Sequence, residues 1–218
     1  PEYIDVATLQ GRDLYACWLG CSQEQDAADC LHVLQQEGVH QVSWLVVDHY
    51  GLDKSWESLL IKGLSIKTPP RLLVIDDLAD RPHLADCLLD QNFFGPATET
   101  RYDELVPRDC CQLLGPHYAL LNQEYSQLHP LVPPRTELNR VLVFFGGVDS
   151  FNLTEMTIRA LNDPALAHLS VDVVLGRQTF LSESLAHLVA HRPRTTLHRP
   201  LPSLAGLITQ SDLAIGAA

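Results

Sequence analysis

The chain has 218 residues, 46% of them apolar, and a net charge of −12 at neutral pH. That length supports one large or two small domains, each with a real core. An acidic balance of this size argues against a non-specific binder of nucleic acid or of anionic membrane, because both rely on fields of lysine and arginine. A phosphorylated small molecule stays open, since local amides and an arginine suffice to hold one.

From Asp13 to Gly20 an apolar segment reads as a strand. Gln23 to Glu37 reads as a helix, with Ala27, Cys30, Leu31 and Leu34 at helical spacing and Gly38 closing it. Trp44 to Asp48 is a second, buried strand that leads into His49-Tyr50-Gly51. Asp53 to Lys62 is a short helix with Trp56, Leu59 and Leu60 on one face. Arg71 to Asp77 makes a third strand, Asp86 to Asn92 a fourth and Gln112 to Gly115 a fifth, and His117 to Tyr125 is helical. Ser126 to Asn139 changes character: Pro130, Pro133 and Pro134 favour a stiff, extended connection, which is taken as the domain boundary.

Past that linker the alternation resumes, with strands at 140–145, 171–175, 195–198 and 212–216 and helices at 153–162, 181–190 and 201–209. Strands alternating with helices predict right-handed βαβ units and a parallel sheet in each half. The expected fold is α/β with two Rossmann-like domains, 1–125 and 140–218, joined by a linker at 126–139 and facing a cleft. Val141 to Phe145 runs straight into Gly146-Gly147 and then a helix, with Asn152 and Glu155 spaced as a cap and its N3 partner. Glycine amides and a helix N-terminus suit an anion, and the same pattern equally suits an ordinary tight turn. The spacing fits neither G-x-G-x-x-G nor G-x-x-x-x-G-K.

In open parallel sheets, ligands bind off the carboxyl ends of the strands. Those ends collect Asp48, His49 and Tyr50; Asp76 and Asp77; Asp90, Gln91 and Asn92; and Gly146, Gly147 and Asp149. Any one of these acids also works as a turn former or cap, but His49-Tyr50 adds a proton carrier and an aromatic platform. Adjacent strand residues point to opposite faces, so only one of Asp76 and Asp77 reaches such a site. Arg71, Arg101 and Arg108 either meet a phosphate or solvate a surface. His187 and His191 have metal-pair spacing but lack the glutamate of the zinc-protease motif, and a solvated helix face is the expectation. No metal or cofactor is called for. The G-x-S-x-G nucleophile elbow is absent. Six cysteines without C-x-x-C pairs are read as reduced, mostly buried cytosolic thiols. The longest apolar runs, five or six residues, fall far short of the ~20 that span a bilayer. A strand that enters a glycine turn two residues before the end suggests a fragment, whereas a start at Pro1 is what loss of an initiator methionine alone leaves.

Six ordered stretches carry a resemblance: V-V-D-H-Y-G-L-D (46–53), V-I-D-D-L-A-D-R-P-H (74–83), L-L-D-Q-N (88–92), L-L-G-P-H-Y-A-L-L (113–121), F-F-G-G-V-D (144–149) and S-D-L-A-I-G-A (211–217). Together they resemble the UDP-2,4-diacetamido-2,4,6-trideoxy-β-L-altropyranose hydrolases of pseudaminic acid biosynthesis. The resemblance implies a GT-B fold, like that of the lipid II glycosyltransferase, and metal-independent cleavage of a UDP-sugar. Its D-H-Y-G stretch falls on Asp48 to Gly51 and places Tyr50 and His49 on the sugar side; joined to the strand-end reading, the expected catalytic residues are Tyr50, His49 and Asp48, with Asp77, Gln91 and Asn92 among the substrate contacts. Gly146, Gly147, Asp149 and Gly216 fall on the nucleotide side. The family's N-terminal G-x-G-H-x-x-R, with its proposed catalytic histidine, has no counterpart here, and its glycine-rich UDP-binding segment stops after Gly216-Ala217-Ala218. The expectation is therefore a cytoplasmic, monomeric hydrolase whose first βαβ unit lies before Pro1 and whose 218 residues alone are inactive. The rival expectations are a GT-B glycosyltransferase that passes the sugar to an alcohol, a non-catalytic nucleotide-sugar-binding module, and a generic α/β domain.

Overall fold

The structure, a computed structural model, describes residues 15–39, 41–64 and 68–216. The chain forms two compact units, Pro1–Leu120 and Leu121–Ala218. Both are α/β, each with one four-stranded, wholly parallel sheet, and both are Rossmann-like in kind. No helix among the described residues is long and apolar enough to cross a membrane.

In the first unit the strands are β1 (Trp44–Val47), β2 (Arg71–Ile75), β3 (Cys87–Asp90) and β4 (Cys111–Leu114), lying side by side in chain order. Helix α1 (Gln23–Gln36) starts where the Ser22 hydroxyl accepts from the Gln25 amide, and α2 (Lys54–Gly63) where Asp53 accepts from Ser55. Such oxygens satisfy amides that have no partner inside the helix. The core joins Ala27, Trp56, Leu60, Leu72, Leu88 and Tyr102.

Four expectations for this unit need correction. Residues 15–19 are helical rather than extended, ending in a turn at Cys17–Leu19 that the Gly20 amide closes; Asp13 and Leu14 lie outside the described residues. A short apolar run fits either conformation, and here Tyr15 and Trp18 pack on Tyr50 instead of joining a sheet. β1 is buried on one face only: Val47 is buried, whereas Trp44 and Val46 are 47% and 56% exposed. On α2 Leu59 is exposed and Glu57 takes the buried place beside Trp56 and Leu60, because position 59 falls outside the stripe that 56, 57 and 60 form. The helix expected at 117–125 is split into a 3-10 turn at Pro116–Tyr118 and, after an extended stretch, α3 (Gln123–Leu128) behind the Asn122 cap. The chain before it is drawn out where the Leu120 amide donates to Gln91 Oε1 at 2.9 Å.

The second unit orders its strands β7-β6-β5-β8, with β5 (Arg140–Phe144), β6 (Ser170–Val174), β7 (Thr195–His198) and β8 (Leu213–Gly216). Val141, Leu142 and Val143 are all buried, as an unbroken apolar run at the centre of a covered sheet requires. Helices α4 (Leu153–Leu161) and α5 (Glu183–His191) pack against one another, and α6 is only Ala205–Ile208. Its start is delayed past Pro200 and Pro202, to where Ser203 Oγ accepts from the Ala205 amide. The proline-bearing stretch 126–139 belongs to this second unit, and part of it is helical. Arg135 ties it there through the Ser211 and Thr209 carbonyls and an ion pair to Asp212.

The cap of α4 is not the one expected. Asn152 sits in the left-handed region at φ 53°, and its side chain caps no amide. Asp149 reaches forward instead, accepting from the Leu153 and Thr154 amides at 2.8 Å each. Burial raises the pKa of this carboxyl, but those bonds outweigh it and leave the group below its ordinary value. Replacing Asp149 with Ala should therefore cost about 1–2 kcal/mol in urea unfolding. Asn152→Gly, which suits the positive φ, should change stability by less than about 0.5 kcal/mol.

Candidate functional site

At the carboxyl edge of the first unit, the β1 end turns sharply: His49 Nδ1 accepts from the Gly51 amide at 3.0 Å, which leaves the neutral ring's proton on Nε2. Asp48 is exposed, and Tyr50 is half-buried, its ring 5.1 Å from Tyr15 and 6.1 Å from Trp18 between centroids. Beside the Tyr50 hydroxyl stands Asp77, from the β2 end. Burial first, then this carboxylate, pushes the Tyr50 pKa up to about 12, so the phenol is a proton-bearing donor at neutral pH. Asp77 Oδ2 accepts from Asn92 Nδ2 at 2.7 Å, whereas its buried Oδ1 has no hydrogen-bond partner. Tyr50, Asp77 and Asn92, expected from three separate strand ends, are thus brought together. Gln91 is not drawn in with them, since its Oε1 holds the Leu120 amide.

Behind this group lies a layer of buried charge that strand-end reasoning did not assemble. Asp76 is 2% exposed and pairs with Arg81 at 2.7 Å, so of the two adjacent acids it is Asp77 that is left for the site. Tyr102 hydroxyl lies 3.0 Å from Asp76 Oδ2 and 3.2 Å from Asp90 Oδ2. Asp90 also pairs with Arg101 at 2.7 Å; burial raises its pKa, with the arginine acting against that. Arg101 further donates to the Asp77 and Leu78 carbonyls and lies 3.3 Å over the Phe94 ring. Expected either to meet a phosphate or to solvate a surface, Arg101 is instead spent on Asp90 and two carbonyls. Deeper still, His83 Nδ1 and Glu57 Oε1 are 2.6 Å apart, with both side chains fully buried. Tyr102 and Glu57 lie in none of the six stretches that carry the resemblance, and Arg81 and His83 enter only as part of the 74–83 stretch, not as buried partners. The signal available was an arginine and a histidine five and seven residues past a strand-end acid, which no period or cap rule explains.

In the second unit, Gly146 holds φ 82° at the β5 end, a conformation suited to glycine. Gly176, at the β6 end, packs so closely that a Cβ there would run into the Gly146 and Gly147 carbonyls. Gly216 pairs with Phe144 at the end of β8. Beside these glycines opens a hollow of about 470 Å³ lined by Gly147, Gly176, Arg177, Gln178, Ser203 and Tyr125 among others. Gly147 lines it, Gly146 shapes the turn before it, and Asp149 is engaged with α4. The two amides that Asp149 covers are therefore already satisfied, which closes that part of the helix start to an anion. Arg177, Gln178 and Ser203 went unnoticed in the sequence because they belong to loops that meet only after folding.

Around α4, hydrogen bonds from Ser184, Arg159, Asn152 and Ser182 hold the Glu155 carboxyl down to about 2. Asp172 is buried in β6 between Arg140 at 2.6 Å and His198 at 2.7 Å; burial raises its pKa, but these partners prevail and lower it. His187 and His191 stack on each other at 3.9 Å on an exposed helix face. The cysteines are half-buried or exposed, with Cys21 and Cys111 exposed, which corrects the expectation of mostly buried thiols.

The class that the fold defines is thus an α/β protein of two Rossmann-like parallel-sheet units. No protein-family model matches the chain. Among curated proteins it is similar to the UDP-2,4-diacetamido-2,4,6-trideoxy-beta-L-altropyranose hydrolase of Campylobacter jejuni subsp. jejuni, at 32% identity over 110 residues. The similarity covers 50% of this chain and 37% of that protein, so the matched stretch spans little more than a third of the relative's length.

Two titrations test this geometry. Phenolate absorbance of the wild type minus that of Tyr50→Phe should show no ionisation near pH 10, the ordinary tyrosine range, because Tyr50 ionises only near 12; a difference step at 10 would contradict the burial beside Asp77. Glu155 has a folded pKa of about 2 against an ordinary 4.5, so its stabilisation is complete above 4.5 and disappears as pH falls towards 2. The urea midpoint of Glu155→Gln should accordingly fall less steeply across that window than that of the wild type.

Proposed function

We propose that the protein, in its full-length form, hydrolyses a UDP-linked diacetamido-trideoxy sugar at the sugar–diphosphate bond and releases free sugar and UDP. The observation that carries this reading is the gathering of Tyr50, Asp77 and Asn92 at the carboxyl ends of β1, β2 and β3. The similarity to the Campylobacter hydrolase supports the substrate class.

UDP is a good leaving group, so the bond needs no strong acid. It needs water held in line and donors facing the charge that develops on the diphosphate. In this proposal the protonated Tyr50 donates to an oxygen of the substrate. Asn92 fixes the orientation of Asp77, whose carboxylate holds the Tyr50 side chain in place beside the sugar. His49 Nε2 and Asp48 flank the sugar. The second unit has the GT-B nucleotide role: Gly146 and Gly147 shape the loop beside the uridine diphosphate, Asp149 holds that loop to α4, and Gly216 lies at its edge. No metal enters the proposed reaction. The water-activating histidine implied by the family resemblance is assigned to no residue of this chain.

Full-length protein incubated with the UDP-sugar and no acceptor should release UDP and free sugar in equal amounts. Tyr50→Phe should lower kcat on the order of 10²-fold, the usual cost of one transition-state donor. Turnover only when an alcohol acceptor is added would establish a glycosyltransferase instead, and tight binding without turnover would establish a binding module.

A further inference from the structure

We propose that Cys87 and Cys111 form an oxidative modification site, closing to an intramolecular disulfide on exposure to peroxide. The two residues open β3 and β4 and are direct partners in the parallel register, Cys87 opposite Cys111. Neighbouring strands lie ~4.8 Å apart, inside the ~4.4–6.8 Å that a disulfide spans between Cα atoms.

Alternation along the strands puts both thiols on one face. Leu88 on β3, and Cys110 and Leu114 around β4, all pack into the first unit's core. Cys87 and Cys111, each one residue out of phase with that set, therefore share the opposite face. The two thiols interact directly, and burial first, then Cys111, raises the Cys87 pKa. Cys110 faces the core, and burial pushes its thiol up to about 11, which keeps it protonated and unreactive. Cys111 is exposed and thus open to the oxidant.

The step balances. The Cys111 sulfur attacks peroxide, an S–O bond forms as the O–O bond breaks, and one water leaves. The Cys87 sulfur then attacks the Cys111 sulfur, the S–S bond forms, and the oxygen departs as a second water with the Cys87 proton. Two thiols lose two electrons and the peroxide gains them. The link ties β3 to β4 at the end of the sheet opposite Asp90 and Gly115, so it fixes the strands without entering the edge that gathers Tyr50, Asp77 and Asn92.

The test treats the reduced chain with hydrogen peroxide, removes the oxidant, alkylates under denaturing conditions and maps peptides by mass. The expected result is a fall from six alkylated cysteines to four, with a Cys87–Cys111 crosslink that dithiothreitol reverses. Cys110→Ser should keep the crosslink, and Cys87→Ser and Cys111→Ser should each lose it. A crosslink through Cys110, or added oxygen on Cys111 with Cys87 still alkylated in the wild type, would overturn the proposal. The wild-type peptide map decides the matter even if a variant folds poorly.

Discussion

The first unit depends on one buried ion pair. Asp76 and Arg81 meet at 2.7 Å with side chains no more than 2% exposed, and neither charge has water to fall back on. Such a pair survives only when its remaining polar atoms are satisfied, and removing one partner typically costs about 3–5 kcal/mol. Arg81 meets that requirement by donating to the Leu52 carbonyl at 2.7 Å, which anchors the loop just beyond Tyr50. Asp76 meets it through the Ala79 amide and the Tyr102 hydroxyl. One pair thus ties together the end of β2, the loop after β1 and the stretch holding Tyr102, so strand ends far apart in sequence keep a fixed spacing.

The consequence reaches the exposed edge. Because Asp76 points inward, its neighbour Asp77 points outward and meets Asn92 and Tyr50. Tyr102 is caught between Asp76 and Asp90, and desolvation and both carboxylates raise its pKa, so it serves as a permanent donor inside the layer. Arg101 then neutralises Asp90 and caps two carbonyls of the Asp77 loop. The proposed chemistry therefore stands on residues that are buried or nearly so, Arg101 being the most open at 14%. A layer of this kind would keep the side chains of the proposed site from reorganising as charge develops beside them.

The second unit reaches the same end by other means. Its edge is shaped by backbone rather than by buried ion pairs. Close packing of Gly176 on the 146–147 turn opens the hollow, while Asp149 and Glu155 fix α4 beside it. Arg192 shows the same economy elsewhere: buried, it pairs with no acid among the described residues and donates instead to the carbonyls of Leu161, Leu166, Leu169 and Pro193.

Most of this architecture was legible in the chain. Runs such as Leu72–Ile75 and Val141–Val143 are apolar without alternation, as strands of a covered parallel sheet commonly are, and the strand–helix alternation of the second half pointed to parallel pairing. The collection of polar residues at strand ends followed from that alone, including Tyr50, Asp77 and Asn92. Local pattern failed where two conformations share one composition. Tyr15 to Leu19 is apolar enough for a strand but coils to stack on Tyr50, and Asn152 has a capping residue's chemistry while Asp149 has the geometry. Which acid faces inward, which arginine is spent on a carboxylate, and which cysteines lie side by side all depend on residues brought together from 5 to 26 positions away. Sequence periodicity records only which face a residue occupies. The partner waiting on that face is chosen by the packing of the whole unit, and only the tertiary structure decides it.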